Sequence, residues 1–142
     1  MFTENQFTPT QWDTAKDKAD FCNRFVRFVK SGYKRGIYTK GFYNRLSMMF
    51  GHIAHYNSNG FYYTFFSTPE GRVDFAKYTL RNNSFGDPSC TWGDAEKLLK
   101  EWAIENKMLE NEIENFNKAV RERELRQLEY LKAKYESEVI NE

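Results

Sequence analysis

The chain has 142 residues, 40% of them apolar and 18% aromatic, from 13 Phe, 9 Tyr and 3 Trp. That load of bulky side chains excludes wholesale disorder and suffices for one hydrophobic core. The net charge of +1 hides an asymmetry: residues 1–60 carry nine Lys/Arg against four Asp/Glu, and residues 101–142 carry seven against eleven. This unevenness matters more for partner choice than the near-neutral total.

No apolar run approaches the roughly 18 residues of a membrane span, and the first residues, Met-Phe-Thr-Glu-Asn-Gln-Phe, lack the regions of a secretion signal. A cytoplasmic protein without a membrane partner is expected. Cys22 falls among Phe21, Phe25 and Val26 and reads as a buried thiol, whereas Cys90 falls in a loop. A disulfide between them is not expected in that compartment.

Thr8-Pro9-Thr10-Gln11 combines a capping hydroxyl, a proline at the first helical position and a glutamine at the reciprocal position, and predicts a first helix from about Thr8 to Ser31. Gly32 supplies a left-handed stop. At 100° per residue, Phe21, Cys22, Phe25, Val26, Phe28 and Val29 share one arc, with Arg24, Arg27 and Lys30 opposite. A Gly- and Tyr-containing loop leads to a second helix, predicted from Thr39 or Lys40 to Tyr56 with Phe42, Leu46, Met49, Phe50 and Ile53 as its buried stripe. Asn57-Ser58-Asn59-Gly60 reads as its stop.

Phe61-Tyr62-Tyr63-Thr64-Phe65-Phe66 suits a strand by composition but has no pairing partner, so a short helical turn in the core is favoured. Ser67-Thr68-Pro69-Glu70 opens another helix, ending near Arg81. Thr91 caps the last one, which meets no proline or glycine from Asp94 to Glu138; a single helix there would be roughly 70 Å long. Its apolar positions include Leu98, Trp102, Leu109, Ile113, Phe116, Val120, Leu128, Leu131 and Tyr135. Glu124 shifts their register, so the repeat is not a strict heptad. A small domain cannot cover so long a helix. Its distal half, about residues 110–140, must either fold back through a bend or dock on another chain. The expected fold is all-α: a compact, aromatic-rich head of three to four helices over residues 1–90, then one long C-terminal helix over residues 91–142 with coiled-coil potential.

The most suggestive stretch runs from Arg24 to Arg45. Arg24, Arg27, Lys30, Lys34, Arg35, Lys40 and Arg45 interleave with Tyr33, Tyr38 and Tyr43, and no acidic residue occurs between Phe21 and Pro69. Basic side chains neutralise phosphates and tyrosines stack on unpaired bases, so this pattern predicts a nucleic-acid or nucleoprotein interface. A solvated helix face with a flexible loop would show the same charges. The two histidines, His52 and His55, have a spacing that can bring two imidazoles to one metal ion, but no nearby ligand completes a site and no carboxylate or nucleophile pairs with them by spacing. Phosphate-loop, dinucleotide, paired Cys-x-x-Cys and nucleophile-elbow motifs are absent, so neither catalysis nor a cofactor or metal is expected. The expected function is non-enzymatic binding of nucleic acid or a nucleoprotein complex through the basic face. The alternative is a protein–protein inhibitor or accessory protein of phage or mobile-element type, for example against a host defence complex. It would act, or dimerise, through the long helix at Leu128, Leu131 and Tyr135.

Overall fold

A computed structural model describes residues 1–51, 56–81 and 85–140, and every regular element among them is helical. After a 3-10 turn at Glu4–Gln6, the helices are α1 (Ala15–Lys30), α2 (Lys40–Met49), α3 (Ser58–Phe66), α4 (Pro69–Arg81), α5 (Gly93–Glu105) and α6 (Met108–Ile140). No helix among the described residues is long and apolar enough to cross a membrane.

The first helix starts later than the Thr8-Pro9 signal predicts. Thr14 and Asp17 form the capping box instead: the Thr14 hydroxyl accepts the Asp17 amide at 3.0 Å, and the Asp17 carboxylate accepts the Thr14 amide at 2.8 Å. These bonds to Thr14 hold the Asp17 carboxyl below its ordinary range. Upstream, the Thr10 hydroxyl accepts the amides of Trp12 and Asp13, and the Thr8 amide donates to Asp94. The two local bonds to Thr10 and the long-range one to Asp94 thus hold residues 8–13 in a turn that competes with helix. The other end is as expected, with Gly32 left-handed at φ +77° and Tyr33 following it at φ +63°.

Thr39 caps α2 by accepting the Phe42 amide at 3.2 Å, but α2 ends at Met49 rather than Tyr56. Residues 52–55, including His52, Ile53 and His55, lie outside the described residues. Asn57 is a start, not a stop: its side chain accepts the Gly60 amide and caps α3. The aromatic run from Phe61 is therefore a full helix with Phe61, Phe65 and Phe66 buried. Helix α4 crosses α3 closely at Gly71, where an added Cβ would lie 2.1 Å from the Thr64 carbonyl oxygen.

Edge-to-face aromatic pairs dominate the core. Phe66 meets Phe28 and Phe75, each with ring centroids at 4.8 Å, and Phe28 meets Phe42 at 5.2 Å. Trp92, Ala95, Leu99 and Ala103 bring α5 into the same core, against α1. The only fully buried lysine among the described residues, Lys18, lies at this seam. Its ammonium donates to the carbonyls of Pro88 and Thr91 at 3.0 and 2.9 Å and to Asp94 at 2.9 Å, so each N–H has an acceptor.

The long helix expected from residue 91 onwards is broken. Asn106 ends α5, and Lys107 takes a left-handed φ of +53° before α6 departs. The Asn106 side-chain amide donates to the Trp102 carbonyl at 2.9 Å, and Asn111 donates back to the Asn106 carbonyl at 3.1 Å, satisfying the carbonyls that the corner exposes. The corner lets Met108 and Leu109 turn onto the core and α6 pack along α4. At 33 residues α6 is still roughly 50 Å long.

Candidate interaction surfaces

The acid-free stretch divides into an inner and an outer set. Tyr33 is 1% exposed, stacks on Phe66 at 5.4 Å and donates its hydroxyl to the buried Glu112 carboxylate at 3.1 Å. Burial raises its phenol pKa strongly, with the Glu112 charge adding to the effect. Tyr38 is also buried; its hydroxyl donates to the Ser58 carbonyl at 3.0 Å, and desolvation raises its pKa. Both rings are part of the core and present no face to a base. Tyr43, half-buried, donates its hydroxyl to the Tyr56 carbonyl at 2.6 Å.

The cations divide too. Arg45 pairs with Asp13 at 3.2 Å and stacks its guanidinium 3.9 Å above the Trp92 ring, while the Trp92 indole donates to the same carboxylate at 2.9 Å. Arg24 is half-buried and donates to the Ile37 carbonyl at 3.0 Å. Arg35 bonds the Asn59 side chain and lies 4.5 Å over the Tyr62 ring. Arg27, Lys30, Lys34 and Lys40 are exposed and make no ion pair among the described residues. Arg24 and Arg27 share a groove of about 710 Å³ with Asp13, Asp17 and Asp20, so that part of the basic face is electrostatically mixed.

The other surface is the distal half of α6. Every residue from Arg121 to Glu138 is exposed, including Leu128 at 60%, Leu131 at 38% and Tyr135 at 58%. Leu125 and Tyr130 are exposed beside them. Over these residues the charges balance, with five basic (Arg121, Arg123, Arg126, Lys132, Lys134) and five acidic (Glu122, Glu124, Glu129, Glu136, Glu138).

No group of three or more potential metal ligands is brought together among the described residues. Sequence reasoning missed the buried polar residues Lys18 and Glu112, whose charge alone reads as exposure. The one available signal for Lys18 is its phase, three residues before Phe21 and four before Cys22 on the α1 stripe. What the fold and surfaces define is an all-α protein with a long C-terminal helix. No protein-family model, curated protein or solved structure matches the chain.

Proposed function

We propose that this is a non-enzymatic interaction protein that pairs with a second copy of itself through the distal half of α6. The observation that carries this reading is the stretch from Arg121 to Glu138, about five helical turns with both edges in solvent and five large apolar side chains exposed. Most helix stability in proteins comes from packing an apolar face, so the exposed stripe on this helix gains by being covered. Its equal numbers of positive and negative side chains suit a self-complementary, coiled-coil-like pairing and offer little to a polyanion. In this reading the head comprises the helices of residues 1–90 together with α5, whose inner face lies in the core, and the arm is the part of residues 91–142 beyond the first turns of α6.

Light scattering on the full chain tests it. A mass twice that of the chain at micromolar concentration, reduced to one by the double substitution Leu128→Asp and Leu131→Asp with helicity retained, is the expected result. A wild-type monomer at that concentration rejects self-pairing and turns the arm towards a different chain, such as the target of an inhibitor or accessory protein.

A second reading, nucleic-acid binding by the head, draws on exposed Arg27, Lys30, Lys34 and Lys40 within an acid-free stretch. It loses the stacking component, because Tyr33 and Tyr38 are core residues. Its test is binding of single- and double-stranded DNA and RNA across a salt series. Steep salt dependence lost on Lys34→Glu, Arg35→Glu and Lys40→Glu supports it, and absence of binding at low salt removes it.

A further inference from the structure

The segment before α1, the end of α2 and the start of α5 enclose a groove of about 410 Å³, within the range of small-ligand sites. One wall is the closed set of Asp13, Arg45 and Trp92, whose charges and indole N–H satisfy one another. Trp12 and Met48 line it as well and are left largely in water, 85% and 69% exposed. Cys90, an exposed thiol, lines it too; with Asp13, Arg45 and Glu96 it makes up the titratable groups that line the groove among the described residues.

Glu96, on the first turn of α5, lines the same groove and differs from its neighbours. Its Oε2 is shut off from solvent yet has no hydrogen-bond partner, the one buried side-chain oxygen or nitrogen so placed among the described residues. A carboxylate oxygen in that position is costly unless a positive group compensates it. Arg45, the one Lys or Arg among the described residues that line the groove, is already committed to Asp13 and Trp92. An exposed indole beside a thioether offers the complementary surface, an apolar face that also attracts a cation.

We propose that this groove binds an organic cation on an apolar stem, with the ammonium or guanidinium head set against the Glu96 side chain, its charge acting on the carboxyl from the groove side, and the stem packed between Trp12 and Met48. No residue of the α6 arm and none of the exposed lysines of the head lines this site. Burial raises the Glu96 carboxyl to about 7, so the empty groove takes up a proton near neutral pH and a bound cation expels it. Affinity therefore rises with pH through about 7 and levels off above it. Asp13 and Arg45 face the groove as an existing pair.

The test is calorimetric titration of the full chain with n-butylammonium and n-butylguanidinium, with butylurea as the neutral isostere, while the indole N–H resonance of Trp12 is followed by NMR. The expected result is saturable binding of the cations with a shift of the Trp12 signal, weakened about tenfold or more by Glu96→Gln, a loss of at least ~1.4 kcal/mol. Affinity should also fall as pH is lowered from 8 to 6, and this dependence should vanish in E96Q. Trp12→Ala, a change at an exposed position, should weaken the cations while leaving the fold intact. A capped peptide with a central arginine distinguishes the sources: tighter binding than butylguanidinium identifies a protein side chain, and equal binding a free amine. Equal affinity for butylurea, unchanged affinity in E96Q, or no saturable binding overturns the proposal.

Discussion

Replacing Lys18 by Met keeps the length and most of the volume of the side chain but deletes an ammonium that holds three acceptors at 2.9–3.0 Å in a fully buried position. The Pro88 and Thr91 carbonyls lose their charged donor, and Asp94 loses its counterion. Asp94 is not fully stranded: it still accepts the amides of Thr8 and Ala95, and its side chain is 14% exposed. Breaking one side of a buried pair costs about 3–5 kcal/mol, and the retained amides place this case at the lower end, about 3 kcal/mol. For a chain of this size that is roughly 10 °C in Tm. Urea unfolding followed by circular dichroism measures it, with an unchanged m-value required for the comparison. Adding Asp94→Asn removes the stranded charge, so the double variant should be more stable than the sum of the two single effects by about 1–2 kcal/mol. A loss below about 1 kcal/mol for K18M, or strict additivity in the cycle, would refute the account of Lys18 as the lock between α1 and the start of α5.

Three further outcomes follow from the same geometry. Tyr33→Phe leaves the buried Glu112 carboxylate without its 3.1 Å donor and should cost about 1–3 kcal/mol in chemical unfolding; a neutral effect would mean that the bond does not contribute. Gly71→Ala places a methyl 2.1 Å from the Thr64 oxygen, so α3 and α4 must separate, with a loss of about 1–3 kcal/mol by thermal melting. For Glu96 the folded carboxyl is raised from 4.5 to about 7, so its stabilising contribution is present below pH 4.5 and is lost as pH rises through about 7. E96Q should therefore gain about 1 kcal/mol over wild type above pH 7, a figure discounted for the half-exposed side chain, and the gain should fade towards pH 5 in parallel melts.

Much of the fold was legible in the sequence because capping chemistry and apolar periodicity act locally. Thr39 at the start of α2, Pro69 at the start of α4 and the Phe21–Phe25–Phe28 stripe are each readable within a few residues. The misplaced boundaries came from local signals that compete. Thr8-Pro9 and Thr14-x-x-Asp17 both resemble a helix start, and the Thr8 amide bonded to Asp94, 86 residues away, settles the contest. Asn57 is equally suited to following one helix and capping the next. The break at Asn106–Lys107 carries no proline or glycine; Lys107 adopts the left-handed region because the corner lets Met108 and Leu109 reach the core. At the surfaces, charge predicted exposure correctly for Arg27 and Lys34, while Lys18, in phase with the α1 stripe, and the tyrosine rings are held inside by tertiary bonds whose partners no spacing encodes.

An aromatic core imposes a condition that explains which side chains were hidden. Phenol groups reach into such a core only when their hydroxyls find acceptors, and Tyr33, Tyr38 and Tyr62 each do so, at Glu112, the Ser58 carbonyl and the Tyr33 carbonyl. The same rule is met by Lys18 with three acceptors and by Arg45 with a carboxylate and an indole. Against this pattern of completed polar contacts, Glu96 lacks a donor and the apolar stripe of α6 from Leu125 to Tyr135 lacks a cover. Both departures cost free energy in the isolated chain, and each would be relieved by the partner proposed for it: a cation in the groove and a helix along the arm. The search for partners is therefore best directed to those two places, ahead of the exposed lysines, whose charges water already solvates.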